Sequence, residues 1–323
     1  MSCCCSCPPA DTCLPDQVAA LITNQQDHEE RLAALEGSAA RLFFEPATFG
    51  VIGDLGRANQ TQLDTVAAFD RFPLEGILMA GDNNYTSDLD SDYLAMMDWV
   101  LSGRLFPCLG NHDLDNTDRE EEQISFYPSL FQEGEKRYYD VFFPKGSLHV
   151  FVLSDGLQSD GDNIENSDGD GAVIGSVQYK WFIDKVKASN ARWKVVMFHH
   201  PMFTIYSGAT MATYLDWGFE HLGIDLVING HDHANWHLRR GNIDYINCSL
   251  CGQTARVVDP DCLTDPSQMV GNKTGAWAPW IDLAGTSGNR GLPAYCLLNT
   301  SPNVMDVRFY RLSNHALIHQ FQR

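Results

Sequence analysis

Five short segments of this 323-residue chain stand directly behind apolar runs and carry residue types that hold metal ions. They are Gly53-Asp54-Leu55-Gly56, Gly81-Asp82-Asn83-Asn84-Tyr85, Gly110-Asn111-His112-Asp113, His199-His200-Pro201 and Gly230-His231-Asp232-His233. No other feature restricts the fold as much. The run Ile77-Leu78-Met79-Ala80 reads as a buried strand, and Asp82 at its tip can face a cleft with both oxygens free to bridge two cations. Tyr85, three residues on, can turn back toward the same cations, where a phenolate is a hard anionic ligand suited to a ferric ion. His231 and His233, one residue apart, can point into one cluster and bind different ions. For all five segments to serve one site, their strands must bring their carboxyl ends to a common edge, where α/β folds put ligand sites. An Asp-Asn pair behind a strand is by itself a turn; five such ends in series are a specific pattern.

The rest of the pattern agrees with an α/β domain over residues 42–323. Strands are expected at 48–52, 77–80, 105–109, 193–198 and 226–229, with helices at 60–69, 93–101, 177–188 and 211–222. Residues 138–143 and 148–153 read as neighbouring strands. From Ile243 the chain turns to β, with 294–298, 304–310 and 316–320 as a closing meander.

The five segments, in this order, resemble the calcineurin-like metallophosphoesterase superfamily and, within it, the purple acid phosphatases. The resemblance covers roughly residues 45 to 240. Other superfamily members usually carry a histidine two residues after the first aspartate. Here that position is Gly56, and Tyr85 supplies the missing ligand, as in the purple subgroup. The resemblance implies an α/β/β/α sandwich of two mixed sheets and a binuclear centre. Asp54, Asp82, Tyr85 and His233 would hold Fe(III), and Asp82, Asn111, His199 and His231 a divalent ion, Fe, Zn or Mn. His112 would contact the phosphoryl group and protonate the leaving alkoxide, making His112 and Asp82 the catalytic pair. His200, next to a ligand, is left a supporting role. The implied reaction is hydrolysis of a small phosphate monoester by a metal-bound hydroxide, with no covalent protein intermediate. Two alternatives stand beside it: a phosphodiesterase or nucleotide hydrolase on the same scaffold, and a structural or adhesion component of a larger assembly such as a virion.

Composition narrows the partners. Forty-two acidic against 22 basic residues give a formal charge of −20, which disfavours nucleic acid and anionic membrane surfaces. No apolar run reaches the roughly 18 residues of a membrane span, the N-terminus lacks a signal-peptide pattern, and no Gly-x4-Gly-Lys-Ser/Thr loop is present. Five of ten cysteines fall within residues 1–13, a Cys-rich tip that fits no standard zinc or iron-sulfur spacing. Residues 14–41 follow as an oligomerisation helix. Within 14–36, Val18, Leu21, Gln25, His28, Leu32 and Leu35 mark heptad positions, from which a coiled-coil homo-oligomer is expected. The alternative is one amphipathic helix packed on the domain. Cys248 and Cys251 read as a local disulfide or buried thiols. Residues 155–171 form an acidic, Gly-rich surface loop at the edge of the cleft that fails the calcium-loop template. His237 is placed within reach of the cleft, and Trp236 is a packing or lid residue.

Overall fold

Along the central strands, alternate side chains enter different cores. Val150 and Val152 join one buried cluster while Phe151 and Leu153 join another; Val195 and Met197 oppose Val196 and Phe198; Leu226 and Ile228 oppose Val227. Period-two segregation of an all-apolar run means that the sheet is covered on both faces, which is why these strands read as continuous hydrophobic stretches. The computed structural model describes residues 45–323 apart from 87–88, 116, 128, 132–136, 157–171, 207–211, 213–214, 251–254, 259–269, 272–275 and 286–289. The expectations for the Cys-rich tip, the heptad helix and most of the 155–171 loop therefore lie outside the described residues.

A six-stranded sheet is built from β1 (Ala47–Ile52), β2 (Gly76–Met79), β3 (Leu105–Pro107), β13 (Ala294–Thr300), β14 (Met305–Arg311) and β15 (Leu317–Gln322), in the order β15-β14-β13-β1-β2-β3. β1, β2 and β3 are parallel, and the closing meander joins antiparallel to β1. The second sheet contains β4 (Tyr139–Phe143), β5 (Leu148–Val152), β6 (Trp193–Met197), β8 (Leu226–Asn229), β9 (Asn235–Arg240), β10 (Ile243–Cys248) and β12 (Ala276–Ile281), in the order β12-β9-β10-β8-β6-β5-β4. A short ribbon pairs β7 (Phe203–Thr204) with β11 (Val270–Gly271).

The larger core lies between the sheets, where Phe49 of β1 meets Phe143 of β4 edge-on at 4.7 Å. Outside the first sheet, Phe69 of α1 (Gln60–Phe69) packs on Trp99 and on Tyr295 of β13. Outside the second, Phe182 and Val186 of α5 (Val177–Ala188) cover Phe151. The result is the expected α/β/β/α sandwich of two mixed sheets. Asn59 and Ser176 cap α1 and α5, accepting from Gln62 N and Tyr179 N, so each helix begins where its capping side chain stands.

Local structure departs from the sequence pattern in three places. The expected helix at 93–101 is broken into α2 (Leu89–Tyr93), a 3₁₀ turn at Leu94–Met96 and α3 (Met97–Leu101). The expected helix at 211–222 is, among its described residues, a 3₁₀ turn at Phe219–Leu222 between Gly218 (φ +75°) and Gly223 (φ +71°), whose left-handed backbone stops propagation at both ends. Helix α4 (Thr117–Phe126) carries the polar run Asp118-Arg119-Glu120-Glu121-Glu122-Gln123, which gave no apolar periodicity to read. No helix among the described residues is long and apolar enough to cross a membrane.

Candidate metal centre

The two sheets meet where their parallel strands end: Gly53 N, behind β1, donates to Cys248 O at the end of β10 (2.8 Å), and His199 Nδ1, behind β6, donates to Ala80 O behind β2 (2.8 Å). Three of the ligand-bearing segments leave the first sheet and two leave the second. The turns they make are sharp. Asp54, Asp82, His231 and His233 have positive φ, at 57°, 52°, 67° and 48°. Such backbone is uncommon outside glycine and is maintained only where its surroundings enforce it.

Gly56 shows the enforcement. A Cβ there would lie 1.9 Å from Asn83 O and 2.4 Å from Asn84 N, because the Asp82–Tyr85 loop rests directly on it. Gly56 N donates to Asp82 O and Tyr85 N to Gly56 O (2.8 Å). The same glycine that stands in place of the superfamily's histidine thus lets the loop approach and deliver Tyr85.

The side chains form two groups that share Asp82. In the first, Tyr85 Oη donates to Asp54 Oδ1 (2.8 Å) and lies 3.2 Å from His233 Nε2, itself 3.3 Å from Asp54 Oδ1. In the second, Asn111 Oδ1 lies 3.1 Å from both His199 Nε2 and His231 Nδ1. Asp82 Oδ1 is 3.3 Å from His199 Nε2, and the Asp82 carboxylate also acts on the Tyr85 hydroxyl. Asp54, Asp82 and His199 offer ligand atoms within 4.8 Å of one another, as do His199, His200 and His231. All seven sequence-derived ligand candidates are therefore in one place. His112 is at the mouth, its ring 4.5 Å from that of Tyr85, its side chain 35% exposed, its Nδ1 3.4 Å from Asp115 Oδ2 and its backbone N–H on Asp82 Oδ1 (3.0 Å).

Electrostatics separate the donors. Burial alone would raise Asp82, yet the charge and hydrogen bond of His199, with His112 and His231 behind it, hold it well below the carboxylate range. Burial opposes a charge on His199, but Asp82 keeps that imidazole above its usual range. His231 is driven well below it by burial and by the charges of His200 and His199, so it presents a neutral ring. Tyr85 is pushed well above the phenol range by burial, Asp54 and Asp82. A cation entering here would displace protons from His199 and Tyr85. The donors fit such ions: two buried carboxylates and a phenol with one imidazole make a hard site, and two imidazoles with an amide oxygen and the shared carboxylate a borderline one.

Several residues that hold the site in place had no role in the sequence reading. Asp113 accepts five hydrogen bonds: from Asn84 N and Gln123 Nε2 at Oδ1 (3.0 and 3.1 Å), and from Asn83 N, Asn83 Nδ2 and Gly110 N at Oδ2 (3.1, 2.9 and 2.8 Å). Burial and the Asp82 charge push it up to about 8. With donors all round and no acceptor, a carboxyl proton there would face another hydrogen, and the carboxylate is the form that fits. Asp92 accepts from Ala58 N, Tyr85 N and Thr86 N (3.1, 3.1 and 2.9 Å), fixing the backbone that carries Tyr85. Asp155, at the start of the expected surface loop, is instead fully buried and accepts from His200 N (2.6 Å) and Nδ1 (3.1 Å), which turns His200 against the His231 ring at 4.1 Å. Asp232 Oδ2 accepts from Thr204 Oγ1 (2.8 Å) and Trp236 Nε1 (2.9 Å), so Trp236 is a core residue and not a lid. His237 does not reach the cleft: it lies on β9, bonded to Asp244 and stacked on Phe321 of β15 at 3.8 Å. Cys248 is a buried thiol; Cys251 lies outside the described residues.

Comparison with known proteins agrees with this geometry. The calcineurin-like phosphoesterase family matches residues 47–235. Among curated proteins, purple acid phosphatase 1 of Ipomoea batatas is 24% identical over 222 residues, covering 58% of this chain and 42% of the relative. The Fe(3+)-Zn(2+) purple acid phosphatase 12 of Arabidopsis thaliana is 25% identical, covering 62% and 45%. The chain thus spans less than half the length of these relatives. Among solved structures, the purple acid phosphatase PPD1 from yellow lupin (Lupinus luteus) seeds superposes with a TM-score of 0.63 at 14% identity, over 86% of this chain and 54% of that one. GAP50, the anchor in the inner membrane complex of Plasmodium, gives a TM-score of 0.57 at 15% identity, covering 85% and 88%. With more than half its length matched by the family and the strand-end donors gathered in one centre, this chain belongs to the calcineurin-like phosphoesterases.

Proposed function

We propose that the protein is a binuclear metal-dependent phosphatase that hydrolyses phosphate monoesters. The observation that carries this reading is the pair of donor groups sharing Asp82, one built on Asp54, Tyr85 and His233 and the other on Asn111, His199 and His231. Bound there, two cations would supply Lewis acidity, toward a water nucleophile and toward the charge on the phosphoryl oxygens. We assign the first group to Fe(III), the hard ion that a phenol and two carboxylates suit. The second suits a divalent Fe, Zn or Mn ion. His199, with Nδ1 committed to Ala80 O, directs Nε2 at the shared carboxylate. His112, at the mouth with Nδ1 beside Asp115, is assigned to contact the phosphoryl group and carry a proton to the departing oxygen.

Kinetics on an aryl monoester and an aryl diester test the assignment. The monoester is the expected better substrate, and His112→Ala should lower kcat by about 10²- to 10⁴-fold, most for poor leaving groups. Faster diester hydrolysis would move the substrate class to diesters. A His112→Ala loss that does not depend on the leaving group would remove His112 as proton donor.

A further inference from the structure

Seven donors make up the two groups around Asp82, and an eighth candidate stands within the second group. The segment behind β6 carries two adjacent histidines, and the resemblance to the purple acid phosphatases assigns a ligand role only to the first, His199. His200 is 1% exposed and sits among the other imidazoles of that group. Its ring lies 4.1 Å from that of His231 and 4.9 Å from that of His199, which are themselves 5.3 Å apart. One ring nitrogen from each of the three lies within 4.8 Å of the others. A ring aimed at an ion about 2.1 Å from its nitrogen has its centroid about 3.2 Å from that ion. At that radius the separations of 4.1, 4.9 and 5.3 Å correspond to nitrogen–ion–nitrogen angles of about 80°, 100° and 110°, close to octahedral and tetrahedral values. Three imidazoles spaced in this way fit around one ion.

Asp155 supplies what stands behind a metal-binding imidazole. Fully buried just beyond β5, it accepts from the His200 backbone N–H (2.6 Å), and the same oxygen lies 3.1 Å from His200 Nδ1. A carboxylate there keeps the ring proton on Nδ1, so the neutral imidazole carries its lone pair on Nε2. His199 is set in the same tautomer by a different partner: Nδ1 donates to Ala80 O (2.8 Å), and Nε2 is 3.1 Å from Asn111 Oδ1. The pairing of a carboxylate with the far nitrogen of a histidine is the arrangement that orients an imidazole on a metal ion and raises its basicity.

We propose that His200 is a further ligand of the second ion, through Nε2, so that this ion is held by three imidazoles, Asn111 and the shared Asp82. A third nitrogen shifts the preference of the site from Mn(II) toward Zn(II). The proposal rests on the two-ion reading of the centre and not on its activity. Its test uses the full chain stripped of metal and reloaded. With one equivalent of Cu(II), which a nitrogen-rich site takes first, electron paramagnetic resonance counts the imidazole nitrogens on the ion. Three are expected in the wild type and two in His200→Asn, whose amide N–H takes the place of Nδ1 on Asp155 while nothing replaces Nε2. In calorimetric titrations His200→Asn should lose more than about 100-fold in Zn(II) affinity, beyond the cost of losing an outer partner alone, and less in Mn(II) affinity. Asp155→Asn, which keeps the ligand and disturbs only its orientation, should retain three nitrogens and lose about 10- to 100-fold in Zn(II) affinity. A wild-type count of two or fewer, or a count that His200→Asn leaves unchanged, overturns the assignment even if the protein hydrolyses monoesters, and reduces His200 to packing for His231. A count that falls from three to two in a protein that hydrolyses no ester upholds the assignment and removes the phosphatase reading instead. A protein that takes up no metal removes both.

Discussion

Asp113 gives the most direct access to how the site is held. Its two oxygens receive five donors, three of them main-chain N–H groups of the loops that carry Asp82, Tyr85 and Asn111. Asp113→Ala strands all five in a buried place. A buried donor without a partner costs about 1–3 kcal/mol, and sharing between neighbours keeps the sum below five times that, so a loss of about 4 kcal/mol is expected. Asp113→Asn is the sharper perturbation because it preserves shape. With its oxygen at the Oδ2 position it keeps three donors satisfied but sets an NH₂ against Asn84 N and Gln123 Nε2, for about 2–3 kcal/mol. In a chain of this length about 2 °C of midpoint corresponds to 1 kcal/mol, so thermal unfolding followed by circular dichroism should fall by about 8 °C for alanine and about 5 °C for asparagine. Metal affinity should drop about 10- to 100-fold in both, since the loops that aim the ligands lose their common anchor. An Asp113→Asn protein that melts within about 1 °C of wild type and binds metal as tightly would show that Asp113 does not anchor these loops.

Two further perturbations follow from the geometry. Gly56→Ala should destabilise by about 2–3 kcal/mol and weaken metal binding, because its Cβ meets Asn83 O at 1.9 Å and must push the Tyr85 loop outward; a variant with wild-type melting and metal content would show that the loop yields freely. On β9 and β15, His237 and His319 face each other at 3.0 Å among Asp244, Arg239, Arg323, Trp280 and Phe321. Burial foremost, then the His237 charge, holds His319 down to about 4, and burial holds His237 below its usual range despite Asp244. The folded protein therefore binds fewer protons here than the unfolded chain below pH 6.5, and this contribution to stability is present above pH 6.5 and lost as pH falls toward 4. Urea midpoints of wild type and His319→Gln should draw together over that interval; a constant gap would contradict it.

What was legible in the sequence was what depends on local order. Runs such as 195–198 are apolar on both faces because both faces are covered, so the strands and the donors at their ends could be read directly. Tyr85 could be matched to the empty place at Gly56 because both fall in short motifs. What was not legible depends on contacts distant in the chain. Asp113 holds Asn83 and Asn84 from about 30 positions away, and Asp155 holds His200 from 45. By type these carboxylates are indistinguishable from the ligand candidates, and only the fold shows that their oxygens meet backbone donors. The helix expected at 211–222 is missing from its described residues for the opposite reason: the apolar spacing is real, but Gly218 and Gly223 take left-handed backbone. His237 misled for a similar reason, since its closeness in sequence to His233 counts for nothing once β9 carries it to the β15 edge.

The proposed function depends on a shared-carboxylate metal pair with Tyr85 on a ferric ion. Metal analysis and the visible spectrum of the purified protein, measured beside Tyr85→Phe, test it most directly. Two ions per chain are expected, one of them iron, with a tyrosinate-to-iron band that disappears in the variant. A band unchanged by Tyr85→Phe, or a protein that takes up no metal after reconstitution, would contradict it.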